Sequence, residues 1–571
     1  METLSETPTQ VVDHPREIAD MLEGLTQPGD ISLIFEDRAS VPHSVLLVEY
    51  QEGEHLILDV TAVPEVASGL VAERPFRLSG QASGAMVSTH PMTASPMNVT
   101  PGRLRFWCPY PETLDVWHRR HAFRAELRSG MQVPVEITLD TGETTRTIRG
   151  ELLNLSLGGC LLQLPLGAAV HLEQGQTLDQ VVAIFPSGQR LEARGEVRHV
   201  TSDDRWQRAL VGFAFDDTAP RFERLVWYLV KEIERESARD AVNGRNLAPS
   251  PLFQAPADKA ASLAAQTATE TRYATPMARR LAKVADLINA QVLELKQGQR
   301  VDSARLSKAS DLLLSLLEQD REAVLFATGC LHREPVIVQH GITVAARLAD
   351  LVASRQVPRE LLKAVVATAL VHDLGKALLP DALLAARQLD EAQYRQLTEH
   401  VETLRERLGE CRWLAPDVIR SVVVEINERL DGSGYPRGLS GEALSTLGRA
   451  AAVVDVMDAM ARRRPDRPAR GIEAIYRHLL THGEQFDSQW AQRYIRRFGL
   501  QPIGSLVAYT SGAVGWVHRL DEKGNPALVH VVRNRFTPDR RLDQWARGRE
   551  IERLGRFEQL LDPEGEGLTP C

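Results

Sequence analysis

Four residues in the second half of the chain have the types and spacing of a metal-binding set. His340 lies in VIVQHGITVAARLADLVA, His372 and Asp373 end the apolar run of KAVVATALVHDLGKALLPD, and Asp455 interrupts RAAAVVDVMDAMARRRPDRPA. A carboxylate is seldom placed in an apolar helix unless it is paired or bound to metal, so Asp455 calls for a partner. His400, in RQLTEHVETLRERL, is a further helical histidine. Two histidines and two aspartates give a mixed N/O set, suited to Mn, Fe or another first-row metal rather than structural zinc. Adjacent residues on a helix point about 100° apart, so one metal is not expected to account for both His372 and Asp373. The two oxygens of Asp373 can bridge two metals while the histidine holds one. Lys376 lies one turn beyond His372 and can present its charge to a phosphate. The same stretch also reads as a helix end capped at Gly375, with a lysine favoured by the helix dipole.

A second constellation lies earlier. WHRRHAFRAEL holds Arg119, Arg120 and Arg124. The planar guanidinium grips phosphate at two points and pairs with the O6/N7 edge of guanine. Downstream, NLSLGG offers the short polar arms of Asn154 and Ser156 beside Gly158 and Gly159, where positive φ and close approach of backbone to ligand are allowed.

The elements that must position these residues change along the chain. From about Gly29 to Phe106, short alternating runs such as HSVLLVEY and HLILDVT predict a small antiparallel β domain. A second β-rich region runs from VPVEITL to ALVGFAFDD, and two consecutive meanders predict two small barrels or sandwiches. APRFERLVWYLVKEIERESARDAV has helical spacing, and the Pro-, Ala-, Ser- and Thr-rich stretch after it reads as a linker. From about Pro276 to Phe498 the three- and four-residue spacing predicts helices, before SLVAYTSGAVGWVHRL returns to strand character.

Composition bounds the function. The 571 residues suffice for roughly three to four domains. Apolar content of 43% and charged content of 25% are those of folded protein. A net charge of −9 argues against general nucleic-acid binding. Five scattered cysteines without a CxxC pair suggest neither a zinc ribbon nor a disulfide framework, and fit a reducing cytoplasm. The polar N-terminus is unlike a signal peptide, and no apolar run is expected to be long enough to span a bilayer. The expectation is a cytoplasmic protein, not a membrane protein, without a nucleic-acid partner.

Arg120 and Arg124, followed by Asn154, Ser156 and Gly159, resemble the RxxxR and [D/N]xSxxG pattern of the PilZ family. The resemblance implies a β-barrel receptor for cyclic di-GMP, with Arg119 adjoining the arginine pair. The β domain before it is similar to the N-terminal module of flagellar-brake proteins. In order and spacing, His340, His372-Asp373 and Asp455 resemble the HD superfamily of metal-dependent phosphohydrolases. HDLGKALLPD and LDGSGYPRGLSG are similar to its HD-GYP subfamily, with Gly434, Tyr435 and Pro436 as the GYP.

That resemblance implies hydrolysis of cyclic di-GMP to pGpG or GMP, with Asp373 and Lys376 as catalytic residues. It places His340, His372, Asp373 and Asp455 on a first metal, and Asp373 with His400 on a second. Lys376, Arg464 and Arg467 would approach the substrate phosphates, and the glycine-rich loop would pack beside the site. The chain departs from the family at the lead into the loop, usually His-His-Glu-Arg-x-Asp-Gly. Here it begins Ile426-Asn427-Glu428. Isoleucine cannot ligate, and the Asn427 amide is a weak neutral donor. Val336 stands where some members place a glutamate for a third metal.

The expected fold is multidomain. Two N-terminal antiparallel β-barrel domains precede an all-α HD-type domain with a small C-terminal β appendage. The expected boundaries are a flexible N-terminus (1–16), a flagellar-brake-like β domain (17–114), a PilZ barrel with its C-terminal helix (115–236) and a linker (237–275). The HD-GYP helical domain (276–500), the β appendage (501–562) and a tail (563–571) follow. The cofactor is expected to be one or two divalent ions, Fe or Mn. The function is expected to be bacterial cyclic di-GMP signalling in motility or biofilm control, with binding through PilZ and hydrolysis at the HD-GYP site. The alternative is an inactive effector whose HD-GYP domain acts in sensing or protein interaction. A homodimer through the helices, and a flagellar motor component or a diguanylate cyclase as protein partner, are the expected assemblies.

Overall fold

The computed structural model describes residues 10–570 apart from 24, 26–30, 37–41, 62, 83–84, 98–102, 119–123, 129, 141–144, 204–207, 218, 242–248, 255–272, 274, 356, 464–467 and 538–540. The chain forms two compact units that divide chiefly between Ala268 and Thr269.

The first unit is built on two sheets. β1 (Gln10–Val12), β2 (Ile31–Phe35), β3 (His43–Gln51), β4 (His55–Asp59), β5 (Phe76–Ala82), β6 (Ala85–Thr89), β7 (Ser95–Met97), β8 (Arg105–Pro109) and β9 (Leu114–His118) are antiparallel, in the order β1-β9-β6-β5-β2-β3-β4-β8-β7. The helix Pro15–Glu23 adds Ile18 and Leu22 to the core of this sheet.

The second sheet comprises β10 (Ala125–Glu126), β11 (Pro134–Asp140), β12 (Thr145–Ser156), β13 (Gly159–Pro165), β14 (Thr177–Ile184), β15 (Arg190–Asp203) and β16 (Arg208–Phe215). Its order is β10-β12-β11-β14-β15-β16-β13, and an added β12–β13 pairing closes six of these strands into a barrel. Period-two alternation sets each face. Along β15, Leu191, Ala193 and Val197 are buried while Arg190, Glu192 and Arg194 are exposed. The expectation of two barrels therefore holds for the second sheet only. Among the described residues the first sheet has no closing pair, because β1 and β7, three residues each, stay at opposite edges. The helix Pro220–Ala241 packs on the barrel, where Ser237 Oγ donates to the Glu126 carbonyl at 2.8 Å.

The second unit is helical from Pro276 to Phe498. Side chains of Thr275, Asp302, Asp320, Asp390, Ser445 and Asp487 accept from the first-turn amides of the helices they precede. The helix Val336–Ala353 has a mean hydropathy of 1.4 and is long and apolar enough to cross a membrane, against the expectation that no run is. It is 72% buried, as a core helix is, which accounts for its apolar character. β17 (Leu506–Tyr509), β18 (Ala513–Leu520), β19 (Pro526–Asn534), β20 (Gln544–Arg547) and β21 (Phe557–Leu561) form the expected C-terminal appendage, in the order β20-β19-β18-β17-β21. Cys108, Cys160 and Cys411 are free thiols.

Candidate functional site

Two helices of the second unit, Val336–Ala353 and Arg359–Val371, approach closely enough to share one site. Gly341 makes the approach feasible, since a Cβ there would lie 2.5 Å from the Leu370 carbonyl oxygen. The His340 and His372 rings consequently lie 5.1 Å apart.

The second helix stops at Val371. His372 caps it, and Asp373 (φ −102°, ψ −4°) begins a 3₁₀ turn over Leu374–Leu378. The change of pitch aims both consecutive side chains into one space. The expectation that one metal would not account for both assumed that the helix continued. His340, His372 and Asp373 each offer a ligand atom within 4.8 Å of one another. Gly375 has a steric rather than a capping role, because a Cβ there would stand 2.1 Å from the His400 carbonyl oxygen. The helix Glu391–Arg407 thereby brings His400 to the same turn.

The three imidazoles are oriented alike. His372 Nδ1 donates to the Ala369 carbonyl at 2.8 Å, and His400 Nδ1 to the Leu397 carbonyl at 2.6 Å. His340 Nδ1 donates to Asp458 Oδ2 at 2.7 Å. Each bond holds the Nδ1 side of its ring and turns Nε2 toward the carboxylates. His340 Nε2 lies 3.0 Å from Asp455 Oδ1 and 3.6 Å from Asp373 Oδ2. His372 Nε2 is 3.5 Å from Asp455 Oδ1, and His400 Nε2 is 3.5 Å from Asp373 Oδ1. The Nε2 atoms of His372 and His400 are buried without a hydrogen-bond partner. Such orphaned atoms are rare in folded proteins, and here they converge with two carboxylates, so the donor set fits a divalent metal ion.

Electrostatics follow the same geometry. Burial alone would push the His340 imidazole down, but Asp455 and Asp458 outweigh it and raise it to about 9. Burial likewise opposes ionisation of Asp373, yet Lys376 and the neighbouring histidines hold it well below the usual carboxylate range. Lys376 Nζ donates to Asp373 Oδ2 at 2.7 Å. Burial would lower the Lys376 ammonium, and the Asp373 carboxylate keeps it raised.

The loop after Ile426 forms one wall. Tyr435 is joined to Pro436 by a cis peptide bond, and its ring lies 6.1 Å from that of His400. Burial pushes the Tyr435 phenol up to about 12. Gly434 packs on the lead segment, where a Cβ would meet Glu428 Cα at 2.4 Å. Ile426 is fully buried, and Asn427 is buried with an unpartnered Nδ2. Arg464 and Arg467 lie outside the described residues.

In the barrel, Ser156 pairs with Gly159 across a tight turn, and Ser156 Oγ donates to the Gly159 carbonyl at 2.9 Å. Neither Gly158 nor Gly159 uses the positive φ open to glycine. Gly159 is needed for packing, because a Cβ would stand 2.2 Å from the Phe213 carbonyl oxygen. Ala125 pairs with Leu155 and Glu126 with Asn154, so the antiparallel register carries the exposed Arg124 to the level of Ser156. Arg119 and Arg120 lie outside the described residues.

Two families match these regions. Residues 118–231 match the PilZ domain family and residues 326–489 the HD domain family. The chain carries a PilZ domain and an HD domain. It is 26% identical over 364 residues to a cyclic di-GMP phosphodiesterase of Pseudomonas aeruginosa, covering 62% of this chain and 85% of that protein. It is 35% identical over 162 residues to a 3'3'-cGAMP-specific phosphodiesterase of Vibrio cholerae, covering 26% of this chain and 35% of the relative. A cyclic di-GMP phosphodiesterase response regulator of Xanthomonas campestris is 28% identical over 234 residues, covering 40% of this chain and 62% of the relative. The chain thus spans less than two thirds of the length of the latter two. The crystal structure of YcgR in complex with c-di-GMP from Escherichia coli overlaps 41% of this chain and 97% of its own, with 19% identity and a TM-score of 0.21.

Sequence reasoning missed two carboxylates in the HD domain. Asp458 follows Asp455 by three residues on one helix, a spacing that puts both on one face and was available as a signal. Glu428 is fully buried, and its carboxylate accepts from the backbone amides of Arg437 (2.7 Å) and Leu439 (3.1 Å), pinning the loop. No local pattern announces that role.

Proposed function

We propose that this chain binds cyclic di-GMP through its PilZ domain and hydrolyses it to pGpG or GMP at the metal centre of its HD domain. The observation that carries the catalytic half is the convergence of the His340 and His372 Nε2 atoms on Asp373 and Asp455. The similarity to a cyclic di-GMP phosphodiesterase over 62% of the chain supports this substrate. His340, His372, Asp373 and Asp455 would hold a divalent ion, Fe or Mn by the chemistry of the set, with His400 beside Asp373. When bound, the ion supplies Lewis acidity to a phosphodiester oxygen. Lys376 brings a fixed positive charge to the oxygens on which charge grows in the transition state, with Arg464 and Arg467 in the same role. Tyr435 stays neutral at physiological pH and walls the site against water. Arg119, Arg120 and Arg124 grip the phosphates and guanine edges of the nucleotide in the receptor, with Asn154 and Ser156 at the adjoining turn.

The test is turnover of cyclic di-GMP by metal-loaded protein, followed by product chromatography. Asp373→Ala is expected to abolish it. Turnover equal in wild type and variant defeats the catalytic assignment. A second reading rests on the burial of Ile426 and Asn427 where two metal-binding histidines were expected. It makes the HD domain a non-hydrolytic effector that retains nucleotide binding at the receptor. Absence of turnover together with intact cyclic di-GMP binding selects it.

A further inference from the structure

The centre has one complete ligand cluster and one incomplete neighbour. The complete cluster is His340, His372, Asp373 and Asp455, joined by contacts of 3.0 to 3.6 Å among the two Nε2 atoms and the carboxylates. The neighbour starts from His400 Nε2, 3.5 Å from Asp373 Oδ1. Near it stand the ring of Tyr435, whose backbone amide donates to the Asn427 carbonyl at 3.2 Å, and the Lys376 ammonium paired with Asp373, while Ile426 and Asn427 are buried in the segment that leads into the Tyr435 loop. We propose that this centre holds a single divalent ion, because the Ile426-Asn427 pair leaves a second ion next to His400 without enough ligands. The inference rests on the metal-centre reading above and deepens it.

Charge favours the same conclusion. Asp458 is balanced by Arg462, whose Nε donates to Asp458 Oδ2 at 2.5 Å. Asp373 is balanced by Lys376 at 2.7 Å. Among the described residues, the ion pairs of Asp455 are with His340 and His372. A first divalent ion leaves the buried site with a modest positive charge. A second would add two more charges, with one further histidine to hold it. Buried charge without matching ligands is strongly unfavourable. A second ion also needs a donor set, and among the described residues placed here His400 offers one imidazole nitrogen without a hydrogen-bond partner. The hydrocarbon of Ile426 offers none, and the amide of Asn427 is uncharged.

The experiment counts metal rather than turnover. Full-length protein is stripped with chelator, loaded with Mn²⁺ alone, desalted and assayed by elemental analysis, with calorimetry to count tight sites. Wild type is expected to hold about one ion per chain, and I426H/N427H about two, since the added imidazoles complete the second cluster. N427H alone serves as the milder variant, and the thermal midpoint of each shows that it is folded. Two ions in wild type overturn the proposal and leave the metal centre standing. A folded double variant that stays at one ion overturns the assigned role of Ile426 and Asn427. No ion in wild type overturns the proposal and the metal-centre reading together.

Discussion

His340 Nδ1 lies 2.7 Å from Asp458 Oδ2, while Nε2 of the same ring lies 3.0 Å from Asp455 Oδ1. The two aspartates sit one helical turn apart and grip opposite ends of one imidazole. Asp458 thus fixes the orientation of the His340 ring from the side opposite Asp455. Asp458→Asn should weaken Mn²⁺ affinity by roughly 10–100-fold with the fold retained, as carboxylate–histidine–metal contacts of this kind usually do. Calorimetric metal titration beside a thermal melt measures both. Unchanged affinity would show that the contact is only structural.

The pH dependence of metal binding follows from the same ring. Without metal, His340 carries a proton up to about 9. An ion needs the neutral imidazole, so binding near pH 7 must release that proton. Apparent affinity should rise about tenfold per pH unit from 7 toward 9 and then level off. Titrations in buffers of different ionisation enthalpy report the released proton directly.

Stability in acid should depend on Asp350. Its carboxylate binds two guanidinium groups, with Arg321 Nε at 2.6 Å and Arg497 Nη2 at 2.7 Å. Burial opposes its ionisation, but the two arginines hold its carboxyl below the ordinary aspartate range when folded. A depressed carboxylate contributes its full stabilisation above the unfolded pKa and loses it as pH falls through the folded one. Asp350→Asn should cost roughly 1–3 kcal/mol at neutral pH, because the buried carboxylate's charge-assisted hydrogen bonds to two partly exposed arginines are weakened. The difference from wild type should shrink below the unfolded carboxylate range. Urea melts at neutral and acidic pH check both.

Gly375→Ala tests the seating of His400. The new Cβ would stand 2.1 Å from the His400 carbonyl, so the helix Glu391–Arg407 must shift. A loss of roughly 1–3 kcal/mol in stability is expected from overpacking of this kind. A thermal midpoint unchanged from wild type would mean that the turn relaxes freely.

In the receptor, Arg124→Ala should weaken cyclic di-GMP binding by about tenfold or more, the scale of one charge-assisted hydrogen bond to phosphate. The metal stoichiometry of the HD domain should not change. Calorimetry with cyclic di-GMP, using metal-stripped protein, separates the two sites.

Residue type and local spacing made much of this legible in the sequence. His340, His372, Asp373, Lys376, His400 and Asp455 all meet around one turn, and each had been picked out for its chemistry in an apolar or helical setting. Alternation along strands and three-to-four spacing along helices likewise predicted the order of β-rich, helical and β segments. Period and composition are local properties, so a single chain displays them. What the sequence left open depends on contacts between distant residues. The pairing of His340 with Asp458 spans 118 positions, and the closure of one sheet but not the other depends on which edge strands meet. Gly375 reads in the sequence as a helix cap, and the structure shows it, like Gly159 and Gly341, as a place where a neighbouring backbone comes too close for a side chain. Local patterning named the chemical groups of this protein. Packing decided which nitrogen each histidine turns inward, how the helix end places His372 and Asp373 in one cluster, and which carboxylate is shared with a lysine, because those outcomes depend on steric fit between elements far apart in the chain.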